Sequence, residues 1–109
     1  MIALLLAASL FVKEASLETP CGSVILNVEV EPAPSFKLNM DAPWKLQVVN
    51  TQFDVPELKL VEHKVVLIAE SKCHLATSWS TDYTLHAFTC TLDGSECRRE
   101  VVKGTFKNK

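Results

Sequence analysis

The sequence predicts an all-β fold, an antiparallel sandwich of about seven short strands, and three observations support this prediction. Apolar and polar residues alternate with a period of two through most of the chain, as they do in strands that bury one face. Prolines and turn-forming residues interrupt the alternation about every 8–12 residues. No window after residue 16 carries the i, i+3, i+4 apolar pattern of a helix. At 109 residues and 48% apolar, the chain has room for one domain with a real core.

The first strand predicted by the alternation covers residues 24–31. One face of it carries the apolar residues Val24, Leu26, Val28 and Val30, and the other carries Asn27, Glu29 and Glu31. Such a strand buries one side and leaves the other in water. Pro32 and Pro34 end it, because proline cannot donate a hydrogen bond to a neighbouring strand.

Six further strands follow from the same kind of pattern. Alternating segments lie at 36–40, 44–48 and 58–60, separated by a turn at 42–43 and a loop over 50–56. A continuous apolar run at 65–69 predicts a strand buried on both faces. Residues 83–90 and 98–106 are rich in β-formers and predict a final hairpin. Antiparallel strands of this number, within a domain spanning 22–106, are typical of an immunoglobulin-like sandwich.

Composition and charge exclude several classes of function. The net charge is −2, from eleven basic and thirteen acidic residues, so the chain lacks the basic footprint of a nucleic-acid-binding protein. It has three glycines and neither GxGxxG nor GxxxxGK[ST], which excludes the usual phosphate-binding loops. No nucleic-acid partner and no cofactor are therefore expected.

An apolar run at residues 2–12 opens the chain. It is shorter than the roughly 20 residues that a membrane-spanning helix needs, but it fits the core of a secretory signal peptide. Residues 1–16 are therefore predicted to be a signal or leader segment, although no Lys or Arg precedes the run. The alternative is that they are an arbitrary start within a longer parent chain. The first interpretation implies the secretory pathway, the second implies the cytosol, and neither predicts membrane contact beyond this segment.

Two cysteines near the C-terminus are the most informative feature of the sequence. Asp93-Gly94 predicts a two-residue type I′ hairpin turn, and counting outward from it places Cys90 opposite Cys97. Facing residues of an antiparallel pair have Cα atoms about 4.5–5.5 Å apart. Disulfides accept Cα separations of about 4.4–6.8 Å, so a bond can form across the hairpin.

The other two cysteines leave alternatives open. Cys21 and Cys73 could form a second disulfide, and a buried free thiol is equally compatible with each. Because the chain contains no CxxC pair, disulfide or thiol chemistry is favoured over zinc and no metal site is predicted. No complete catalytic constellation is present, so no catalytic residue is named and the chain is not expected to be an enzyme on its own.

The segment 88–97, with Val101 and Phe106 downstream, resembles the C-terminal β-domain of thioredoxin-like/NHL-repeat proteins, of the NHL repeat-containing protein 2 and plant suppressor-of-quenching type. Residues 22–106 are also similar to the N-terminal domain of the bacterial thiol:disulfide interchange protein. There, a cysteine pair near a hairpin tip exchanges a disulfide with partner proteins. The resemblance implies that Cys90 and Cys97 are a redox pair, and that a protein, with a thioredoxin-like protein as the candidate, is the partner.

Two functions are therefore expected at this point. One is a thiol-disulfide-linked module that exchanges or senses a disulfide through the hairpin cysteines. The other is a non-enzymatic immunoglobulin-like interaction domain in which the same disulfide is structural.

Overall fold

The computed structural model describes residues 3–6, 9–54, 56–61, 64–75 and 78–107. This part of the chain contains nine strands in two antiparallel sheets and no helix, which confirms the all-β prediction. None of the described residues belongs to a helix of the length and apolar character that crossing a membrane requires. The strands are β1 (Ala3–Leu6), β2 (Leu10–Glu18), β3 (Val24–Pro32), β4 (Phe36–Leu38), β5 (Lys45–Val48), β6 (Glu57–Val61), β7 (Lys64–Glu70), β8 (Ser80–Thr91) and β9 (Cys97–Lys107).

The first sheet has five strands in the order β1-β2-β3-β7-β6. Strand β3 lies at its centre, paired with β2 on one side and β7 on the other. The residues of β3 alternate between buried and partly exposed positions up to Val30, as the period-two pattern predicts. The inward set therefore forms one wall of the core.

The second sheet is built around β8. Strand β9 pairs with β8 along its full length, from Ser80 opposite Lys107 to Cys90 opposite Cys97. On the other side, β5 and β4 pair with successive parts of β8. Odd-numbered residues of β8 from Thr81 to Thr89 are buried, so the even-numbered set faces outward.

The core lies between the two sheets. Its members are Leu10, Val12, Val24, Leu26, Val28, Val30, Val65, Leu67 and Ala69 from the first sheet, Leu46, Tyr83, Leu85, Ala87 and Phe106 from the second, and Phe53 from a loop. The hydroxyls of Ser9 and Thr89, both fully buried, form a 2.6 Å hydrogen bond inside the molecule. This bond satisfies two polar groups that would otherwise be costly to bury.

The seven predicted strands correspond to β3 through β9, and one detail of that prediction is wrong. The run at 65–69 is not buried on both faces, because Val66 and Ile68 are only partly buried. Strand β7 belongs to an antiparallel sheet whose second face is partly exposed to water. Its apolar outward residues are therefore partly exposed.

The predicted leader overlaps a strand of the sandwich. Strand β2, at Leu10–Glu18, pairs with β3 over nine positions, and Leu10 and Val12 are fully buried in the core. Residues 1, 2, 7 and 8 of the predicted leader lie outside the described residues. The sandwich thus includes residues upstream of the boundary predicted at 22, and removal of a leader stays a prediction.

Candidate functional site

The hairpin that carries the candidate site has a four-residue loop, 92–95, closed by the pair Thr91 and Glu96. The Gly94 N–H donates to the Thr91 carbonyl at 2.9 Å, and the Thr91 N–H donates to the Glu96 carbonyl at 2.8 Å. Gly94 has a φ of 76°, whereas Asp93 lacks the positive φ that a type I′ turn requires. The predicted turn type is therefore wrong. The observed loop is centred on the same dipeptide, so it gives the same strand register.

The Asp93 carboxylate holds this loop together. Its Oδ1 accepts hydrogen bonds from the Thr91 hydroxyl at 2.6 Å, the Ser95 N–H at 2.9 Å and the Ser95 hydroxyl at 2.8 Å. These bonds, with that from Thr91 the strongest, lower the pKa of Asp93 from 3.8 to about 2. The carboxylate is therefore ionised at neutral pH and acts as a three-fold acceptor.

The structure joins Cys90 to Cys97 by a disulfide, with Cα atoms 3.9 Å apart. This is closer than the separation of about 4.5–5.5 Å expected for facing residues and than the range of about 4.4–6.8 Å usual for disulfides. Antiparallel pairs alternate between wide and narrow positions, and the neighbouring pair, Thr91 and Glu96, is hydrogen-bonded. The cysteines therefore occupy a narrow position, where side chains approach each other most closely.

The two cysteines differ in their access to solvent. Cys90 is 6% exposed, whereas Cys97, on the edge strand β9, is exposed. Cys90 lies on the inner strand β8, between Cys97 on one side and Lys37 of β4 on the other. A thiol approaching the disulfide from outside therefore meets Cys97 first.

Basic side chains lie on both sides of the hairpin, alongside the carboxylates of Asp93 and Glu96. Lys37 lies in the same cross-strand row as the two cysteines, and its Nζ is 3.8 Å from the position that a β-carbon on Gly94 would occupy. The Arg98 guanidinium lies 5.3 Å from the centroid of the Phe36 ring and 4.0 Å from the Glu96 carboxylate. The sequence pattern gives no sign of Lys37 as a site residue, because its place opposite Cys90 depends on β4 pairing with β8 across more than fifty residues of chain.

The structure also joins Cys21 to Cys73, with a Cα separation of 5.2 Å and a sequence separation of 52 residues. This bond links the turn after β2 to the segment after β7. Two backbone hydrogen bonds reinforce the link, one from His74 to Cys21 at 2.9 Å and one from Leu75 to Gly22 at 3.1 Å. The alternatives left open by the sequence are thus settled in favour of a disulfide, and no cysteine is free.

Among the described residues, no group of three or more His, Cys, Asp and Glu side chains is arranged to hold a metal ion. His86 and Cys90 do share the outward face of β8, four residues apart. No third candidate ligand joins them in the part of the chain that the structure describes.

Comparison with known proteins gives similarity at the level of the fold. No family model matches the chain, and no curated protein matches it. The N-terminal periplasmic domain of ScsB from Proteus mirabilis aligns over 94% of this chain with a TM-score of 0.64 and 13% identity. The chain spans about half of that structure, 49% of its length. The GAE domain of yeast GGA1 aligns over 100% of this chain and 99% of its own length, with a TM-score of 0.59 and 12% identity.

Both similarities concern the sandwich architecture, and they confirm the prediction of an immunoglobulin-like fold. Part of the predicted resemblance is also supported, since one structural neighbour is a periplasmic domain of the type that the sequence suggested. The resemblance to NHL-repeat proteins finds no support in these comparisons.

Proposed function

We propose that this chain is a disulfide-exchange module, in which the Cys90–Cys97 pair reacts with a thiol of a protein partner. The observation that carries this proposal is the asymmetry of the pair. One cysteine is exposed on an edge strand, and the other is buried beside a lysine. In this arrangement a partner thiolate can attack the exposed Cys97, and the buried Cys90 leaves as a thiolate that is shielded from solvent.

The chemistry begins with a thiolate of the partner attacking Sγ of Cys97 in line with the disulfide. The S–S bond breaks, Cys90 leaves as a thiolate, and a mixed disulfide joins Cys97 to the partner. A second partner thiolate then attacks the partner's own sulfur and releases Cys97. The partner dithiol is oxidised to a disulfide, and the module gains two electrons and is reduced to the dithiol.

The position of Lys37 supports Cys90 as the leaving group. A thiol beside a cation has a lowered pKa, because the positive charge stabilises the thiolate. Lys37 faces Cys90 directly across the β4–β8 pairing. A low pKa on the leaving sulfur also speeds exchange.

The two disulfides differ in what they do for stability. In the chain-entropy model, closing the 52-residue separation of Cys21–Cys73 stabilises the fold by about 4 kcal/mol. Closing the seven-residue separation of Cys90–Cys97 contributes about 2.5 kcal/mol. The β8–β9 pairing already holds this short loop closed, so the hairpin bond can open with the smaller loss.

The fold neighbour is consistent with this role. ScsB is a thiol:disulfide interchange protein, and its N-terminal periplasmic domain shares the sandwich of this chain. At 13% identity the likeness is one of fold, so the proposal depends on the geometry of the hairpin.

The reduction potential of the hairpin pair tests the proposal. In glutathione buffers, with each disulfide followed by mass spectrometry of alkylated peptides, we expect Cys90–Cys97 to have a potential above about −300 mV. Cys21–Cys73 serves as the internal reference and should have the lower potential. A value for Cys90–Cys97 well below about −300 mV would mark an inert structural bond and exclude the exchange role.

Trapping experiments identify which sulfur reacts. In the Cys90→Ser variant the thiolate of the exposed Cys97 attacks a disulfide of an oxidised partner and releases one partner thiolate. The module then has no second hairpin thiol to complete the exchange, so mixed disulfides with partners should accumulate. The matched Cys97→Ser variant keeps only the buried Cys90 and should trap little. Equal trapping by the two variants would contradict the proposed order of attack.

A specific observation supports the alternative function, an interaction domain with a structural disulfide. Strand β6 is an edge of the five-stranded sheet, and Leu58, Leu60 and Val61 on it are all exposed. Exposed apolar edge strands are places where another chain can add a strand. This alternative would be favoured by a partner that binds equally well to the wild type and to a Cys90→Ser/Cys97→Ser double variant. The Leu60→Lys substitution should abolish the binding of such a partner.

A further inference from the structure

We infer that the outward face of the four-stranded sheet is a docking surface for an acidic segment of the partner protein, and that it guides a partner cysteine to Cys97. This inference rests on the proposed function, because it names the chemistry that the exchange partner carries. The face is defined by the outward residues of β4, β5, β8 and β9.

The strand register shows which side chains share this face. Residues directly opposite each other on neighbouring strands point to the same side of a sheet. Cys90 lies between Lys37 and Cys97, and His86 lies between Lys45 and Val101. Further pairs on the same side are Phe88 with Arg99, Thr84 with Lys103, Asp82 with Thr105, and Ser80 with Lys107.

The face is basic although the protein is acidic. The chain as a whole has a net charge of −2. The described outward residues of this sheet, in contrast, include five cations and one carboxylate, Asp82, which accepts a 2.7 Å hydrogen bond from Thr105 at the end far from the disulfide. The cations are Lys37, Lys45, Arg99, Lys103 and Lys107, all of them exposed.

In the part of the chain that the structure describes, these cations form no ion pairs with carboxylates. Among the described residues, the ion pairs join Lys13 to Glu29, Lys64 to Glu29 and Glu31, and Arg98 to Glu96. The opposite face of the sandwich thus neutralises part of its own charge, whereas the basic face does not. A surface of one charge sign attracts a partner of the other sign and speeds its association.

Two features indicate that the occupant is a protein segment. The disulfide at the end of the face reacts with thiols, which proteins supply as cysteines. Phe88 is half-buried, and Val101 is 45% exposed, so apolar surface lies among the cations. A segment that carries both carboxylates and an apolar side chain would complement this face.

The spacing of the cations sets the position of the acidic residues in the partner. Lys103 lies six residues from Cys97 along β9, which corresponds to about 20 Å in an extended strand. An extended partner segment covers the same distance in about six residues. The carboxylates should therefore lie within about six residues of the reactive cysteine.

A binding experiment that needs no exchange chemistry tests the inference. Two fluorescent peptides of equal length are compared by anisotropy on the oxidised full chain, each with serine at the cysteine position. One carries Asp and Glu after that serine, and the other carries Asn and Gln. The acidic peptide should bind on the order of tenfold more tightly at low salt, with the difference shrinking as salt is added.

Matched charge reversals locate the binding site. The Lys45→Glu/Lys103→Glu variant changes two cations of the basic face and should lose the preference for the acidic peptide. The Lys59→Glu/Lys72→Glu control makes the same charge change at exposed lysines outside this face and should keep it. Equal effects of the two variants, or equal affinities for the two peptides, would overturn the inference. Tighter binding to phosphatidylserine vesicles or to a single-stranded oligonucleotide than to the acidic peptide would overturn it as well.

Because these peptides contain no thiol, the result is independent of the exchange proposal. Binding with the expected charge preference, together with an inert Cys90–Cys97 bond, would remove the redox role and leave the docking surface. Disulfide exchange by Cys90–Cys97 without any preference for the acidic peptide would keep the redox role and remove the docking surface.

Discussion

At the scale of single residues, the core contains a carboxyl group and a phenol in close proximity. Glu14 is 8% exposed and Tyr83 is 1% exposed. Neither Glu14 Oε2 nor the Tyr83 hydroxyl has a hydrogen-bond partner of good geometry in the part of the chain that the structure describes. Gly104, opposite Tyr83 on β9, leaves the space that both side chains fill. Polar groups buried in this way make the local structure sensitive to ionisation and to added volume.

Titration of the tyrosine tests the first consequence. Burial, with the adjacent Glu14 carboxylate as a further cause, raises the pKa of Tyr83 well above its ordinary value of 10.0. In the unfolded chain Tyr83 ionises near pH 10, whereas in the folded protein it stays neutral to higher pH. The part of the folding free energy that depends on neutral Tyr83 is therefore fully present below pH 10 and is lost progressively above it. The chain has one tyrosine. The ultraviolet absorbance of its phenolate should therefore appear together with unfolding, and Tyr83→Phe should weaken the alkaline sensitivity of the unfolding midpoint. A separate titration of the folded protein near pH 10 would contradict this expectation.

Gly104→Ala tests the sensitivity of this buried region to added volume. A β-carbon at this position would overlap Glu14 Oε2 and would lie 2.6 Å from Cε1 of the Tyr83 ring. We expect a loss of about 1–3 kcal/mol in the free energy of unfolding, as in other overpacked cores. Lys103→Ala, at the exposed neighbouring position, is the control and should change stability by less than about 0.5 kcal/mol. Urea denaturation measures both variants, and similar values for the two would refute the steric account.

At the scale of elements, the hairpin of β8 and β9 determines the geometry of the candidate site. The sequence predicted the facing of Cys90 and Cys97 because the Asp-Gly dipeptide marks the centre of the turn. The loop type was wrong, since a side chain such as Asp93 can stabilise a longer loop by local hydrogen bonds that the dipeptide alone does not reveal. A two-residue loop and a four-residue loop with the same centre leave the register unchanged.

Removing each disulfide in turn tests how much each one contributes to the free energy of unfolding. We expect Cys21→Ser/Cys73→Ser to lower the free energy of unfolding by about 4 kcal/mol and Cys90→Ser/Cys97→Ser by about 2.5 kcal/mol or less. The reason is that the first pair closes the longer segment of chain, while strand pairing already closes the second. Guanidinium denaturation under non-reducing conditions supplies the comparison. A larger loss from the hairpin pair would assign it a structural role.

At the scale of the whole molecule, the sequence predicted the class of fold and seven of the nine described strands, but it predicted neither β1 nor β2. The pattern in β2 is obscured, because Phe11 is apolar on the outward side and the buried Glu14 stands where an apolar residue is expected. An apolar run followed by charged residues is also the signature of a leader, so the local pattern indicated a leader there and gave no sign of a strand. The position of Lys37 beside Cys90 was equally invisible, since it depends on which strands become neighbours.

The role of the N-terminal segment leads to a prediction about a shortened chain. Deleting residues 1–16 removes Leu10 and Val12 from the core and most of the β2–β3 pairing. The two side chains alone account for about 3–6 kcal/mol, a large share of the stability of a small domain. The deletion variant should therefore lose its near-ultraviolet circular dichroism and cooperative unfolding, whereas Leu17→Ala, an exposed position on the same strand, should retain both. A stable, cooperatively folded deletion variant would support a removable leader.

The buried hydrogen bond between the Ser9 and Thr89 hydroxyls links β8, the strand that carries Cys90, to the residue that precedes β2 in the other sheet. Thr89 points inward and the next residue, Cys90, points outward, so one step of backbone separates the inter-sheet bond from the disulfide. If β8 shifts when the Cys90–Cys97 disulfide is reduced, the shift would also move Ser9, the residue that precedes β2. The hydrogen-exchange rates of the β2 backbone amides should therefore differ between the oxidised and the reduced state of the Cys90–Cys97 pair.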